Sequence, residues 1–131
     1  ILPGMDKPIY LLDTILKEGY DTVIICESQI DALTAWSYGY VACAMIGVGS
    51  NIQYEILNKC PITHYVLMFD NDMAGRKATL NFIKRIRKDV FTTSIQLPCT
   101  KKDINDLSKE ELDLLLLKYQ LHNALKIKPI N

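Results

Sequence analysis

The sequence predicts an α/β fold: a parallel four-stranded sheet, strand order 2-1-3-4, with helices on both faces. Three observations lead there. Apolar, β-branched runs at 22–26, 40–46, 64–69 and 92–97 alternate with segments at helical spacing. The connections are long enough for helical crossovers, which make the strands parallel and cover the sheet. Two of the runs stop abruptly at a carboxylate, at Glu27 and at Asp70. For these to share one site, strand one must lie beside strand three. The order 2-1-3-4 does this and puts the switch point, where open α/β sheets bind ligands, between those two strands.

The elements follow in order. Tyr10, Leu11, Leu12, Ile15 and Leu16 have helical spacing, and Gly19 stops them. Residues 22–26 are continuously apolar, as in a strand buried on both faces. A short helix runs from Ser28 or Gln29 to Tyr38 and closes at Gly39, with Ile30, Leu33 and Trp36 expected to face the sheet. After the second strand comes the loop Gly47-Val48-Gly49-Ser50, then a helix over 51–59. Pro61 precedes the third strand. The longest helix is expected over 74–90, where Ala78, Phe82, Ile86 and Val90 recur every four residues with Ile83 alongside. A polar loop, 98–106, follows the fourth strand. Ser108 opens the last helix, Glu111 completes a capping box, and Leu112, Leu115, Leu116 and Tyr119 form its apolar side. The tail after Asn123 has no clear pattern.

The bulk properties fit one ordinary globular domain over 1–131, with its core in 7–107 and a C-terminal helix over 108–122. The chain has 131 residues, 49% hydrophobic and 23% charged, and a formal net charge of zero. A chain this long buries roughly two-thirds of its unfolded surface, so one core is feasible. Zero net charge gives no global pull towards nucleic acid or membrane. Cys26, Cys43, Cys60 and Cys99 form no Cys-x-x-Cys pair, which argues against structural zinc and for reduced thiols. Neither a signal peptide nor a membrane-spanning apolar run is present, and a cytoplasmic protein is expected. The first residue is Ile1 rather than Met, so a piece of a longer protein is expected.

The chemistry concentrates at the two acidic signatures, Cys26-Glu27-Ser28-Gln29-Ile30-Asp31 and Phe69-Asp70-Asn71-Asp72-Met73-Ala74-Gly75-Arg76. Glu27, Asp70 and Asp72 converging on one sheet edge repel one another unless a cation neutralises them. An all-oxygen site selects Mg²⁺ or Mn²⁺. Glu27 either completes the coordination or acts as general acid/base, with Asp31, one helical turn on, in support. Gly75 allows close backbone approach, and the helix after it presents N–H groups to an anion. Acids at strand ends also cap helices, but two signatures on two strands make capping alone a poor account. The loop from Thr100 to Asp106 reaches the same edge. Asp103 is a further candidate ligand, Asn105 a neutral supporting oxygen, and Lys101 and Lys102 candidate phosphate contacts.

Arg76, Lys77, Lys84, Arg85, Arg87 and Lys88 give one helix a basic run that could track a nucleic-acid backbone. Arg76 and Lys77 are the stronger candidates because they adjoin the carboxylates; a solvated face accounts equally well for 84–88. The Gly47-x-Gly49-Ser50 fragment is too short to specify a phosphate loop. His64, His122 and Trp36 are read as structural.

Together these residues resemble the Toprim family, a Rossmann-like catalytic module of primases, topoisomerases and several nucleases. Glu27-Ser28-x-x-Asp31 resembles its first motif, with Ser28 in place of the usual Gly. Asp70-Asn71-Asp72-Met73-Ala74-Gly75, continued by Arg76-Lys77-Ala78, resembles its second. Lys102-Asp103-Ile104-Asn105 resembles the Lys-Asp-x-Asn element of primase-type members. The resemblance covers roughly residues 7–107. It implies that Glu27 is the catalytic acid/base, and that Asp70, Asp72 and Asp103 bind Mg²⁺ or Mn²⁺. It further implies nucleotidyl transfer: a DNA primase core joining ribonucleoside triphosphates on a single-stranded DNA template. A replicative helicase is a further expected partner, reached through other domains. The isolated fragment is expected to be inactive. The alternatives are a Toprim-type nuclease and a degenerate, non-catalytic nucleic-acid-binding domain.

Overall fold

The computed structural model describes residues 9–47 and 50–129. The elements, in chain order, are β1 (Ile9–Tyr10), α1 (Leu12–Glu18), β2 (Thr22–Cys26), α2 (Gln29–Ser37), β3 (Ala42–Met45), α3 (Asn51–Lys59), β4 (His64–Leu67), α4 (Met73–Arg85), β5 (Phe91–Ser94), a 3-10 turn (Ile104–Asp106) and α5 (Lys109–Lys118). The sheet order is β1-β3-β2-β4-β5. The four long strands are parallel and stand in the predicted order: β2 pairs with β3 (Ile25↔Cys43) and with β4 (Ile25↔Leu67), and β4 pairs with β5 (Leu67↔Ser94).

A fifth strand was not expected. Ile9 and Tyr10 pair antiparallel with Met45 and Ala44 of β3. Tyr10 and Leu11 therefore do not belong to the first helix. Leu11 turns the chain through a left-handed conformation (φ 71°) and α1 starts one residue later. Helical spacing alone could not separate a two-residue strand from the turn that follows it.

The continuous apolar run of β2 has its reason in the two-faced core. Val23 and Ile25 point into one cluster with Leu12 and Ile15 of α1, Tyr54 and Leu57 of α3, and Phe82 of α4. Ile24 and Cys26 point into the other, with Ala32 and Ala35 of α2, Ile104, and Leu112 and Leu116 of α5. Strand side chains alternate in direction, so a strand covered on both sides is apolar throughout.

α2 corrects one expectation. Ile30 and Leu33 are 61% and 48% exposed, and the residues against the sheet are Asp31, Ala32 and Ala35. Small alanines bring the helix close to β2 and β3 and carry the buried Asp31 inward with them. Trp36 is partly buried and donates from Nε1 to Ala42 O (2.7 Å). α4 ends at Arg85, since Ile86 is extended (φ −71°, ψ 149°). Ile86 still joins the core, whereas Ile83 is 41% exposed.

Other local expectations hold. Ser108 and Glu111 form the capping box of α5. Ser50 and Gln53 form a second one on α3, while Val48 and Gly49 of the glycine loop lie outside the described residues. The four thiols are free. His64 Nε2 bonds Thr93 Oγ1 (2.8 Å), and His122 packs edge-on against Tyr40. The tail is tied down by buried Leu125 and by a bridge between Lys126 and Tyr40.

Candidate metal centre

Glu27 and Asp70 follow β2 and β4, which are direct neighbours, so the two signatures meet at the carboxyl edge of the sheet. The Asp70 N–H donates to Glu27 Oε1 (3.1 Å), locking one strand end to the other. Ser28 caps α2 by accepting from Asp31 N–H (3.2 Å). Its backbone is extended (φ −130°), which any residue adopts, so a serine stands where the resembling motif has glycine without strain.

Asp31, Asp70 and Asp103 come together. Each offers a carboxylate oxygen within 4.8 Å of the others. Asp31 is 1% exposed and its Oδ1 accepts from Asn105 N–H (3.0 Å). The Asn105 side chain accepts from Thr34 Oγ1 (3.1 Å), so the Lys102–Asn105 loop is pinned to α2. Asp103 also caps the 3-10 turn by accepting from Asp106 N–H (3.2 Å). Asp72 caps α4: its Oδ1 accepts from Gly75 N–H (2.7 Å). The signatures thus divide into a triad shared among three elements, Glu27 bonded beside it, and Asp72 engaged at a helix start.

Asn71 is the residue that sequence reasoning missed. Its N–H donates to Lys102 O (2.6 Å), and its Nδ2 donates to Lys101 O (3.0 Å) and Pro98 O (3.2 Å). These three bonds hold the Asp103 loop against the Asp70 loop. The only available signal was an amide between two aspartates, and nothing in the sequence says which loop it reaches.

The basic residues separate as well. Arg76, Lys77 and Lys102 are exposed near the carboxylates. Lys101 pairs with Glu111 (3.6 Å), pointing towards α5. Within the run at 84–88, Arg85 and Arg87 are engaged by the fold, whereas Lys84 and Lys88 are exposed. Arg85 stacks on Tyr54 at 4.3 Å, Arg87 donates to Cys60 O (2.7 Å) and Ile62 O (2.9 Å), and Lys88 bonds the carbonyls of Ile83 and Lys84.

The electrostatics are those of crowded acids. Asp70 is pushed up to about 6, by burial first and then by Glu27, Asp31, Asp103 and Asp72. Burial also raises Glu27, with Asp72 and Asp31 adding to it; the Asp70 N–H and the Lys102 charge oppose the shift. Asp31 is raised by burial against the Asn105 N–H bond. Repulsion of this kind is what a divalent cation relieves. The donors are all carboxylate oxygens, the set suited to Mg²⁺ or Mn²⁺.

A family profile described as Toprim-like matches residues 24–108, which contain every one of these carboxylates. The chain belongs to the Toprim-like family. Solved structures with the same fold include the primase fragment of the bacteriophage T7 primase-helicase protein (25% identity, TM-score 0.59), matched over 76% of this chain and 44% of that one. The DnaG catalytic core matches at 18% identity and TM-score 0.65, over 84% of this chain and 38% of that one. The Aquifex aeolicus primase, with its zinc-binding and RNA polymerase domains, matches at 26% identity and TM-score 0.62, over 81% and 27%. The Toprim-like chain thus spans less than half the length of each of these three primase structures. No curated protein sequence matches it. Among the described residues, no helix of this Toprim-like domain is long and apolar enough to cross a membrane.

Proposed function

We propose that this domain is the metal-dependent nucleotidyl-transfer core of a DNA primase, acting on ribonucleoside triphosphates and a single-stranded DNA template. The observation that carries the reading is the Asp31–Asp70–Asp103 triad beside Glu27, in a Toprim-like domain whose structural neighbours include primase cores.

Asp31, Asp70 and Asp103 would hold Mg²⁺ or Mn²⁺, with Glu27 and Asp72 at the margin to complete the set. A bound divalent cation would supply neutralisation and alignment of phosphate oxygens for in-line displacement. Glu27, raised by its surroundings yet hydrogen-bonded to a backbone amide, is suited to accept a proton from a ribose hydroxyl and release it later. Asn105 and Asn71 orient the triad through Asp31 and the Asp103 loop. Arg76, Lys77 and Lys102 stand exposed to meet phosphate, and Lys101 supports them from its pairing with Glu111. Gly75 lets α4 start against the Asp70 carbonyl. Cytoplasmic replication, with a helicase engaged through other parts of the full protein, fits the T7 neighbour, itself a primase-helicase.

Two measurements test this. A Mg²⁺ or Mn²⁺ titration followed by NMR should perturb Asp70, Asp31, Asp103 and Glu27 first, and Asp70→Asn should remove the response. In the full-length protein, Asp70→Asn and Glu27→Gln should abolish template-dependent ribonucleotide incorporation. Unchanged incorporation would leave a non-catalytic nucleic-acid-binding domain, and cleavage of DNA without incorporation would leave a nuclease.

A further inference from the structure

The triad occupies the α2 side of the sheet, and of the residues on the opposite side the proposed reaction uses only Glu27 and Lys77, at the sheet's carboxyl edge. There, above the carboxyl ends of β2, β3 and β4, a cavity of about 360 Å³ opens between α3 and α4. That volume lies within the range of small-molecule sites, about 300–1,000 Å³. Met45, Tyr54, Phe69 and Ala78 form its apolar walls, Asn81 adds an amide, and Lys77 and Glu27 stand at the polar margin. Glu27 is therefore shared: it neighbours the triad on one side and lines this cavity on the other.

We propose that this cavity is a nucleobase pocket, taking the purine of a mononucleotide with its phosphate at Lys77, and that it binds without metal. The choice of ligand follows from the lining. Two aromatic side chains and a methionine give a polarisable apolar wall that suits a flat ring. Asn81 donates only one long bond, from Nδ2 to Tyr54 Oη (3.5 Å), and its Oδ1 has no hydrogen-bond partner among the described residues. An amide with free donor and acceptor capacity reads the edge of a purine. Asp70 N–H occupies Glu27 Oε1, leaving Oε2 to accept from a ring N–H or exocyclic amine. Lys77 is exposed on the same helix, one turn before Asn81, and places its ammonium where a 5′-phosphate would leave the pocket.

The chemical class of the ligand rests on the nucleotidyl-transfer reading; the pocket itself does not depend on the metal site. The test is an NMR titration of the 131-residue chain in EDTA with AMP, GMP, adenosine and ribose 5-phosphate. Purine nucleotides and adenosine should shift the amides of Tyr54, Phe69, Ala78 and Asn81, and ribose 5-phosphate should not. Asn81→Leu, close in size and on a half-buried site, should weaken AMP about five- to tenfold. Lys77→Met should bring AMP affinity down to that of adenosine. The proposal is overturned if AMP causes no shift at these residues, if ribose 5-phosphate reproduces the shifts, or if Asn81→Leu binds AMP as tightly as the parent. A Mg²⁺ titration without nucleotide reports separately on the carboxylates, so failure of one reading is distinguishable from failure of the other.

Discussion

Gly75→Ala puts the site's packing to a quantitative test. Gly75 lies in the first turn of α4 and is buried, and it is not among the glycines at positive φ. Its need for glycine is therefore one of space. A Cβ there would sit 1.8 Å from the Asp70 carbonyl oxygen, 2.6 Å from the Asp70 carbonyl carbon and 2.9 Å from the Asp70 nitrogen. All three are backbone atoms and cannot swing aside. Reaching an ordinary 3.4 Å contact requires about 3.4 − 1.8 = 1.6 Å of separation between α4 and the Asp70 loop. That shift strains the Asp72 cap on Gly75 N–H (2.7 Å) and the Asp70–Glu27 bond (3.1 Å). Alanine gains about 1 kcal/mol of helix propensity over glycine. Against that stand about 1–3 kcal/mol or more for overpacking and about 1 kcal/mol for the damaged cap. The net expectation is destabilisation by about 2 kcal/mol, a drop in Tm of roughly 8 °C for a chain of this length. Urea unfolding followed by circular dichroism measures the first, and calorimetry the second. The same variant should lose most of its Mg²⁺-dependent shifts at Asp70. A variant as stable as the parent, with an unchanged Mg²⁺ response, would refute the close-approach argument.

Four further outcomes follow from particular contacts. Without metal, Asp70 titrates near 6 when folded against about 4 when unfolded. The folded state then holds the extra proton, so stability should fall as pH rises from about 4 to 6. After allowing for solvent screening of a partly exposed group the loss is about 1–2 kcal/mol, and Asp70→Asn should flatten that part of the urea-stability profile. Asn71→Ala removes two side-chain bonds that hold the Asp103 loop, and should weaken Mg²⁺ binding by about 10- to 100-fold in the NMR titration. Ser108→Ala breaks the α5 capping box and should cost about 1 kcal/mol in urea unfolding with no change in the Mg²⁺ response. Ile30→Lys and Leu33→Lys should each change stability by less than about 0.5 kcal/mol; a loss of several kcal/mol would mean that these side chains face the sheet after all.

Local chemistry made much of the fold legible. Ser108 with Glu111 is a purely local device, and it appears as read. The apolar stretch of β2 needs burial on both faces wherever it sits, and it receives it. Misreadings arose where two local patterns competed. α2 offered Ile30 and Leu33 as an apolar stripe, but close packing against β2 and β3 favoured the smaller Ala32 and Ala35, which rotated the helix and carried Asp31 inward. Ile9–Tyr10 forms a strand only because β3 supplies a free edge beside it, and no short-range pattern records that edge.

By itself the sequence determined the types of the main helices and of the four parallel strands, the order of those strands, and the fact that Glu27, Asp31, Asp70, Asp72 and Asp103 reach one edge of the sheet. Strand ends and helix starts are local facts, and topology rules carry them to one place. Only the tertiary structure decided how those acids divide. Which oxygens lie within 4.8 Å depends on the rotation of α2, on the Asn71 bonds that draw in the Asp103 loop, and on the Gly75 N–H that engages Asp72. It likewise decided that Glu27 borders a cavity between α3 and α4, because that cavity exists only where the two helices flanking β4 in the chain meet over the strand ends. Distances between elements are set by packing, and packing is a property of the whole chain.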